Sequence, residues 1–280
     1  MKAKSTESQG IRLLRELSAS GRYIFTSENA VEAAQSQKIP LSQLNKILSN
    51  LAIKGWALRL RRGLYASTGS LPGKIHVHPF AIATHLIQPS AISHWSAMQH
   101  HGLIEQVPQI ITAVTPSKVI TPSMRAQASI ISKNKKHAWE INGLRYEYIT
   151  IQKKYFYGIE EIWMDEYFRI PITDKERTLL DGFIFSKMFG GMGEILGILE
   201  AAIPSIDIKK FIEYAIRYGE QSLIKRVGWS LEHFNVPAKY LNPLLKIPAN
   251  YYCLLDSSMP VRGSRDHRWK IQNNLSGRYS

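Results

Sequence analysis

Apolar residues recur at Ile11, Leu13, Leu14 and Leu17 with helical spacing, and the pattern stops at Gly21. This predicts a helix over about residues 7–18. "YIFT" is a short β-prone run that leads to Ser27, a suitable N-cap for a second helix, "ENAVEAAQSQ". Ala30, Val31, Ala33 and Ala34 give that helix a small packing face. "KIP" predicts a turn, with Pro40 at the entrance of a third helix over about 41–54. There Leu41, Leu44, Leu48 and Leu51, with Ile47 beside them, form one apolar stripe. After Gly55 the period changes to two. In "WALRL", Trp56, Leu58 and Leu60 are expected to point one way, Ala57 and Arg59 the other. "RRG" supplies a turn with Gly63 free to take positive φ, and "LYAS" returns. Three helices followed by a β-hairpin predict a winged helix-turn-helix over residues 1–68.

"STGSLPGK" reads as a linker, so a second domain is expected over 75–280. Helices are predicted at Pro79–Ile87 and Ser93–His101. Strands are predicted at "QIITAVT", "ASIIS", "LRYEYITI" and within "YFYGIEEIWMDEYFRIPIT". The stretch 75–172 is therefore mixed, and 174–235 is mainly helical. "FGGMG" reads as a helix–helix turn, and "NYYCLLD" opens a C-terminal strand and tail over 250–280. The fold class is α+β: an N-terminal winged helix-turn-helix followed by a larger mixed α+β domain. No period of repeat length is present.

Composition narrows the classes. The chain has 280 residues, 44% hydrophobic and 21% charged, which suits a globular protein. Its one cysteine, Cys253, allows no internal disulfide. "MKAKSTESQG" is not followed by an apolar run, so no secretory signal is expected. Lys187, Glu194 and Glu200 interrupt the most apolar window, so no membrane span is expected and a cytoplasmic location is. The net charge is +14, and residues 1–70 carry 11 Lys/Arg against 4 Asp/Glu. A basic excess concentrated in a compact segment is the footprint of a polyanion binder.

Charge and periodicity together single out candidate contacts. Opposite the stripe of the third helix lie Ser42, Lys46, Ser49 and Asn50, flanked by Gln43 and Asn45, with no acid among them. Glutamine and asparagine can read adenine edges; lysine and serine can hold phosphates or bases. Arg59, Arg61 and Arg62 crowd the tip and outer face of the hairpin, where guanidinium groups meet phosphates or a narrow minor groove. The expected partner is double-stranded DNA.

The chain resembles the AbiEi antitoxins of type IV (AbiE) toxin–antitoxin systems. The resemblance rests on "KGWALRLRRGLYA", on "HPFAIATHLIQPSAISHWSAMQHHGLIEQVPQIITAVTPSK", on "DKERTLLDGF" and on "LLDSSMPVRGSRDHRWKIQNN". In the last, Asp256, Pro260, Gly263, Trp269 and Asn273 match a closing pattern. The resemblance implies a DNA-binding antitoxin of phage defence. It would repress its own operon at an operator of inverted repeats and counteract a nucleotidyltransferase-like toxin. It implies no cofactor and no catalysis.

Enzymatic readings find less in the residues. His76 and His78 share a strand face and His100 and His101 adjoin, but no metal-ligand frame such as H-E-x-x-H or C-x-x-C is present. Glu160, Glu161, Asp165 and Glu166, with Asp174, Glu176 and Asp181, read three ways. They form a solvated edge plus helix N-terminal acids, a Mg²⁺ site of a nuclease, or a docking patch for a basic toxin. A ligand-responsive regulator is a further alternative. The tail residues Arg262, Arg265, Arg268 and Lys270 either touch DNA or cover a sheet edge with Trp269 packed inward.

Overall fold

The computed structural model describes residues 8–69, 71–74, 76–120 and 138–279. Its helices are α1 (Gln9–Ala19), α2 (Ser27–Ser36), α3 (Leu41–Ile53), α4 (Pro79–Leu86), α5 (His94–His100), α6 (Lys175–Ile184), α7 (Met192–Ala202), α8 (Ile208–Tyr218), α9 (Gln221–His233) and α10 (Ala238–Leu245). The strands are β1 (Ile24–Thr26), β2 (Ala57–Arg61), β3 (Leu64–Ser67), β4 (Ala91–Ile92), β5 (Ile110–Thr115), β6 (Ala138–Ile141), β7 (Leu144–Thr150), β8 (Ile159–Trp163), β9 (Arg169–Thr173), β10 (Cys253–Leu254), β11 (Arg265–Asp266) and β12 (Ile271–Gln272). The protein is α+β. The strand expected at "ASIIS" lies outside the described residues.

The chain divides into two compact units. The first takes in the described residues of 1–90, 117–146 and 161–171; the second takes in those of 91–116, 147–160 and 172–280. The stretch 67–74, read as a linker, falls among residues of the first unit. There Gly73 N donates to Gly55 O, and Arg61 Nε donates to Leu86 O at the end of α4. The first tie holds the linker to the stretch between α3 and β2, and the second holds α4 to the hairpin.

In the first unit, α1, α2 and α3 close on Leu13, Leu17, Phe25, Ala34 and Leu48. Ser8 caps α1 by accepting from Ile11 N. The cap of α2 is Thr26 rather than Ser27. Thr26 Oγ1 accepts from Asn29 N while Asn29 Oδ1 accepts from Thr26 N, a reciprocal capping box. Ser27 N is already committed to Gly63 O. The strands form an antiparallel sheet of order β1-β3-β2. Three helices with this sheet are consistent with a winged helix.

A six-stranded sheet has the order β6-β7-β5-β4-β9-β8. Strand β4 runs antiparallel to β5 and parallel to β9. Helices α6 to α10 surround a core that includes Phe183, Leu196, Phe211, Val227 and Trp269. Helix α6 starts where the sequence predicted, because Asp174 accepts from Arg177 N. "FGGMG" is a turn into α7, with Gly190 and Gly191 at φ 85° and 107°. A small sheet of order β10-β12-β11 closes the chain.

Much of the closing motif serves packing. Asp256 Oδ2 accepts from Met192 N, and Asn274 exchanges hydrogen bonds with the Asp256 backbone. Trp269 is fully buried against Gly228, where any Cβ would overlap its ring. The inward-packing alternative for Trp269 is therefore the one observed.

Candidate nucleic-acid interface

Helix α3 is held by Leu44, Ile47, Leu48 and Leu51, all buried. Burying each such side chain stabilises by about 1.5–3 kcal/mol relative to leaving it exposed. Leu41, expected in the stripe, is 47% exposed. It opens the helix, one turn above the first buried leucine, where the core does not reach. On the opposite side Ser42, Gln43, Lys46, Ser49 and Asn50 are all exposed, as is Asn45. This face therefore offers amides, hydroxyls and one ammonium without a carboxylate of its own.

The hairpin after α3 turns at Gly63, whose φ of 74° suits a residue without a Cβ. Arg59, Arg61 and Arg62 are exposed around the turn. The strict alternation expected in β2 is not observed. Ala57 and Leu60, three positions apart, are both buried. The register shifts between Arg59 and Arg61, and a bulge of this kind changes which way the following side chains point. Arg59 and Arg61 are exposed on either side of buried Leu60, as alternation requires; the departure is at Ala57, buried although expected on the side of Arg59.

The arginines differ in freedom. Arg61 is tethered, with Nε donating to Leu86 O at 3.2 Å. Its charge also acts on Glu28, in the first turn of α2. Hydrogen bonds from the Thr26 hydroxyl and from Glu28's own amide, and then the Arg61 guanidinium, hold the Glu28 carboxyl below its usual value. Arg59 and Arg62 have no carboxylate partner among the described residues. One residue of this surface lay outside the expected set. Lys54, the exposed C-cap of α3, follows Asn50 by one turn, and both line a cleft of about 250 Å³ with Ser8, Gly10, Ile47 and Trp56. The i,i+4 spacing was the signal that could have included it.

The second unit concentrates polar groups too, but turns them inward. Arg177 and Asp181 are 1% and 0% exposed and pair at 2.9 Å. Arg177 Nη1 also donates to the carbonyls of Tyr155 and Tyr157. Asp174 and Glu176 are bridged by Lys210 at 3.1 and 3.0 Å. Burial opposes the Lys210 charge, yet the two carboxylates outweigh it and raise its pKa. Asp174 and Glu176 are helix N-terminal acids as expected, at the N-cap and in the first turn of α6. Both are also buried and paired. Of these seven acids, Glu160, Glu161, Asp165 and Glu166 are exposed.

His94 sits in this interior at φ 53°, with its Nδ1 on Ser93 Oγ and its ring stacked on Phe189. Burial pushes its pKa down to about 4, with Asp181 opposing and Arg177 adding to the shift. His94 Nε2 and Asp181 Oδ2 have no hydrogen-bond partner among the described residues. Among the described residues, no three His, Cys, Asp or Glu side chains are grouped to hold a metal ion. No described helix is long and apolar enough to cross a membrane.

No protein-family model and no curated protein matches the sequence. A similar solved structure is the crystal structure of the RV2827C protein from Mycobacterium tuberculosis. It aligns with a TM-score of 0.63 over 94% of this chain and 90% of that chain, at 12% sequence identity. At that identity the likeness carries the fold alone. It extends over both the N-terminal helices and the larger α+β region.

Proposed function

We propose that the protein is a cytoplasmic, non-enzymatic regulator that reads duplex DNA with α3 and grips its backbone with the β2–β3 wing. One observation carries the reading. The face formed by Ser42, Gln43, Lys46, Ser49 and Asn50 is exposed, free of acids, and on the element that leads directly into a turn bearing three exposed arginines. With the resemblance to AbiEi antitoxins, the fuller reading is an autorepressor that binds inverted repeats and counteracts a nucleotidyltransferase-like toxin. The nuclease alternative draws less support, because Asp174, Glu176 and Asp181 are already bound to Lys210 and Arg177.

Phosphate and base contacts fail in different ways. Each lost phosphate contact lowers the salt slope by about one unit and weakens every duplex alike. Each lost base contact costs roughly 1–3 kcal/mol on the cognate site only. Arg59→Ala with Arg62→Ala should weaken binding to operator and random duplex together and flatten log K against log salt. Asn50→Ala should weaken the operator alone. The measurement is a salt titration of the full chain on both DNAs. An unchanged slope in the arginine variant, or equal losses on both DNAs for Asn50→Ala, rejects this docking.

A further inference from the structure

We infer that the end of the β10–β12–β11 sheet is a binding site for single-stranded nucleic acid, separate from the duplex-reading face proposed above and independent of it. The site is built around Tyr252. Arg265 and Lys270 stand over its ring, at 5.2 and 5.1 Å from the centroid. His267 meets its hydroxyl through Nδ1. Tyr251, next in sequence, is 59% exposed.

The acids of this region are committed to the fold. Asp256 holds Met192 N and Ser258, and Asp266 Oδ1 accepts from Trp269 N. Glu232 accepts from Trp269 Nε1 and pairs with Arg268. Arg262, Arg265 and Lys270 are left without a carboxylate partner among the described residues. Among the described residues Arg262 donates to Asn274 O and Ser276 Oγ, which are neutral. The result is a group of unneutralised cations beside tyrosine rings on a two-edged sheet.

That combination fits one chemistry. Cations track phosphates, and aromatic faces take unstacked bases; a paired duplex keeps its base faces covered. The backbone holds Lys270 in place. It lies at φ 54°, a region that side-chain-bearing residues rarely adopt, and its carbonyl accepts from Cys253 N at 2.9 Å. The ammonium is therefore presented by a fixed turn instead of a loose tail.

The test is fluorescence anisotropy of the full chain with a labelled 12-nucleotide RNA, the same sequence as single-stranded DNA, and its duplex. Binding of the single strands is expected. Equal affinity for RNA and DNA assigns the site to backbone and base faces; a preference for RNA assigns it to RNA. Arg265→Gln with Lys270→Asn should lower the single-strand salt slope by about 1.4, at roughly 0.7 per phosphate. Asparagine is chosen because it tolerates positive φ. Tyr251, whose ring is exposed, is the stacking face, so Tyr251→Leu should weaken single-strand binding roughly tenfold, while Tyr251→Phe retains it, since stacking needs the face and not the hydroxyl. All variants should keep the parent's duplex affinity and melting temperature, which checks that they fold. Failure of the single strands to bind, an unchanged slope, equal effects of Leu and Phe, or competition by poly-glutamate of equal charge as strong as by the oligonucleotide would each overturn the inference.

Discussion

In the first unit Arg59, Arg61 and Arg62 stand in solvent on a hairpin whose core is leucine, alanine and phenylalanine. In the second unit Arg177 is 1% exposed, bound to Asp181 and to two backbone carbonyls. The same residue type does opposite work. A guanidinium in water keeps its charge available to a partner, and its removal barely touches the fold. One that is buried with a carboxylate has lost its hydration and is useful only to the groups around it. The difference shows why local charge density in a sequence reports a binding surface only when the segment's burial is known.

The largest test of this contrast is Arg177→Met. It leaves the Asp181 carboxylate buried without its cation, and removal of one partner of a buried pair costs about 3–5 kcal/mol. Denaturant unfolding monitored by circular dichroism measures it. A loss as small as that of a surface arginine would break the comparison.

Next comes acid. His94 is neutral when folded because burial lowers its pKa to about 4, whereas the unfolded value is near 6.5. Below the unfolded value, the unfolded chain binds a proton that the folded chain refuses. Stability from neutral His94 is thus present above pH 6.5 and declines as pH falls towards 4, by roughly 3 kcal/mol in total. Asp181 and Arg177 are the charged groups that act on it. His94→Asn, which tolerates the positive φ, should flatten this part of the stability–pH curve relative to the parent. If the two curves run parallel between pH 6.5 and 4, the interior assignment of His94 is wrong.

A smaller effect belongs to the first unit. Thr26→Ala removes one half of the capping box of α2 and should cost about 1 kcal/mol. Thr26→Ser should recover most of it, and thermal melts of the pair measure the difference. The smallest effect is that of Arg62→Ala, which should change stability by no more than about 0.5 kcal/mol. Its consequence should appear only as weaker, less salt-sensitive DNA binding. A large stability loss there would mean that the wing is a structural element.

The α3 stripe was legible because Leu44, Ile47, Leu48 and Leu51 repeat with the helix period. Leu41 misled because periodicity assigns a face and says nothing about how far the core extends along it. The β2 alternation failed at Ala57, which the core takes in, because what packs against a strand face comes from elements that its neighbours in sequence do not encode. Asp174 announced a helix start correctly, yet its burial with Glu176 under Lys210 depends on α8, some thirty residues away. The candidate DNA contacts were legible as exposed positions, since a polar face opposite an apolar stripe has few other places to go. Lys54 was passed over although the predicted helix of 41–54 included it, one turn beyond Asn50.

The sequence by itself determined the period of each element, the turn at Gly63, the start of α6 at Asp174 and the excess of positive charge at the N-terminal end. These are local properties, set by backbone preference and by which side chains avoid water. Only the tertiary structure decided which charges are available. It set Arg177, Asp181, Glu176 and His94 in the buried interior, spent Asp256 and Glu232 on the closing motif, and left Arg59, Arg62, Arg265 and Lys270 without a carboxylate partner among the described residues. The physical reason is that the fate of a charge depends on the dielectric and the partners around it, and both come from residues distant in the chain.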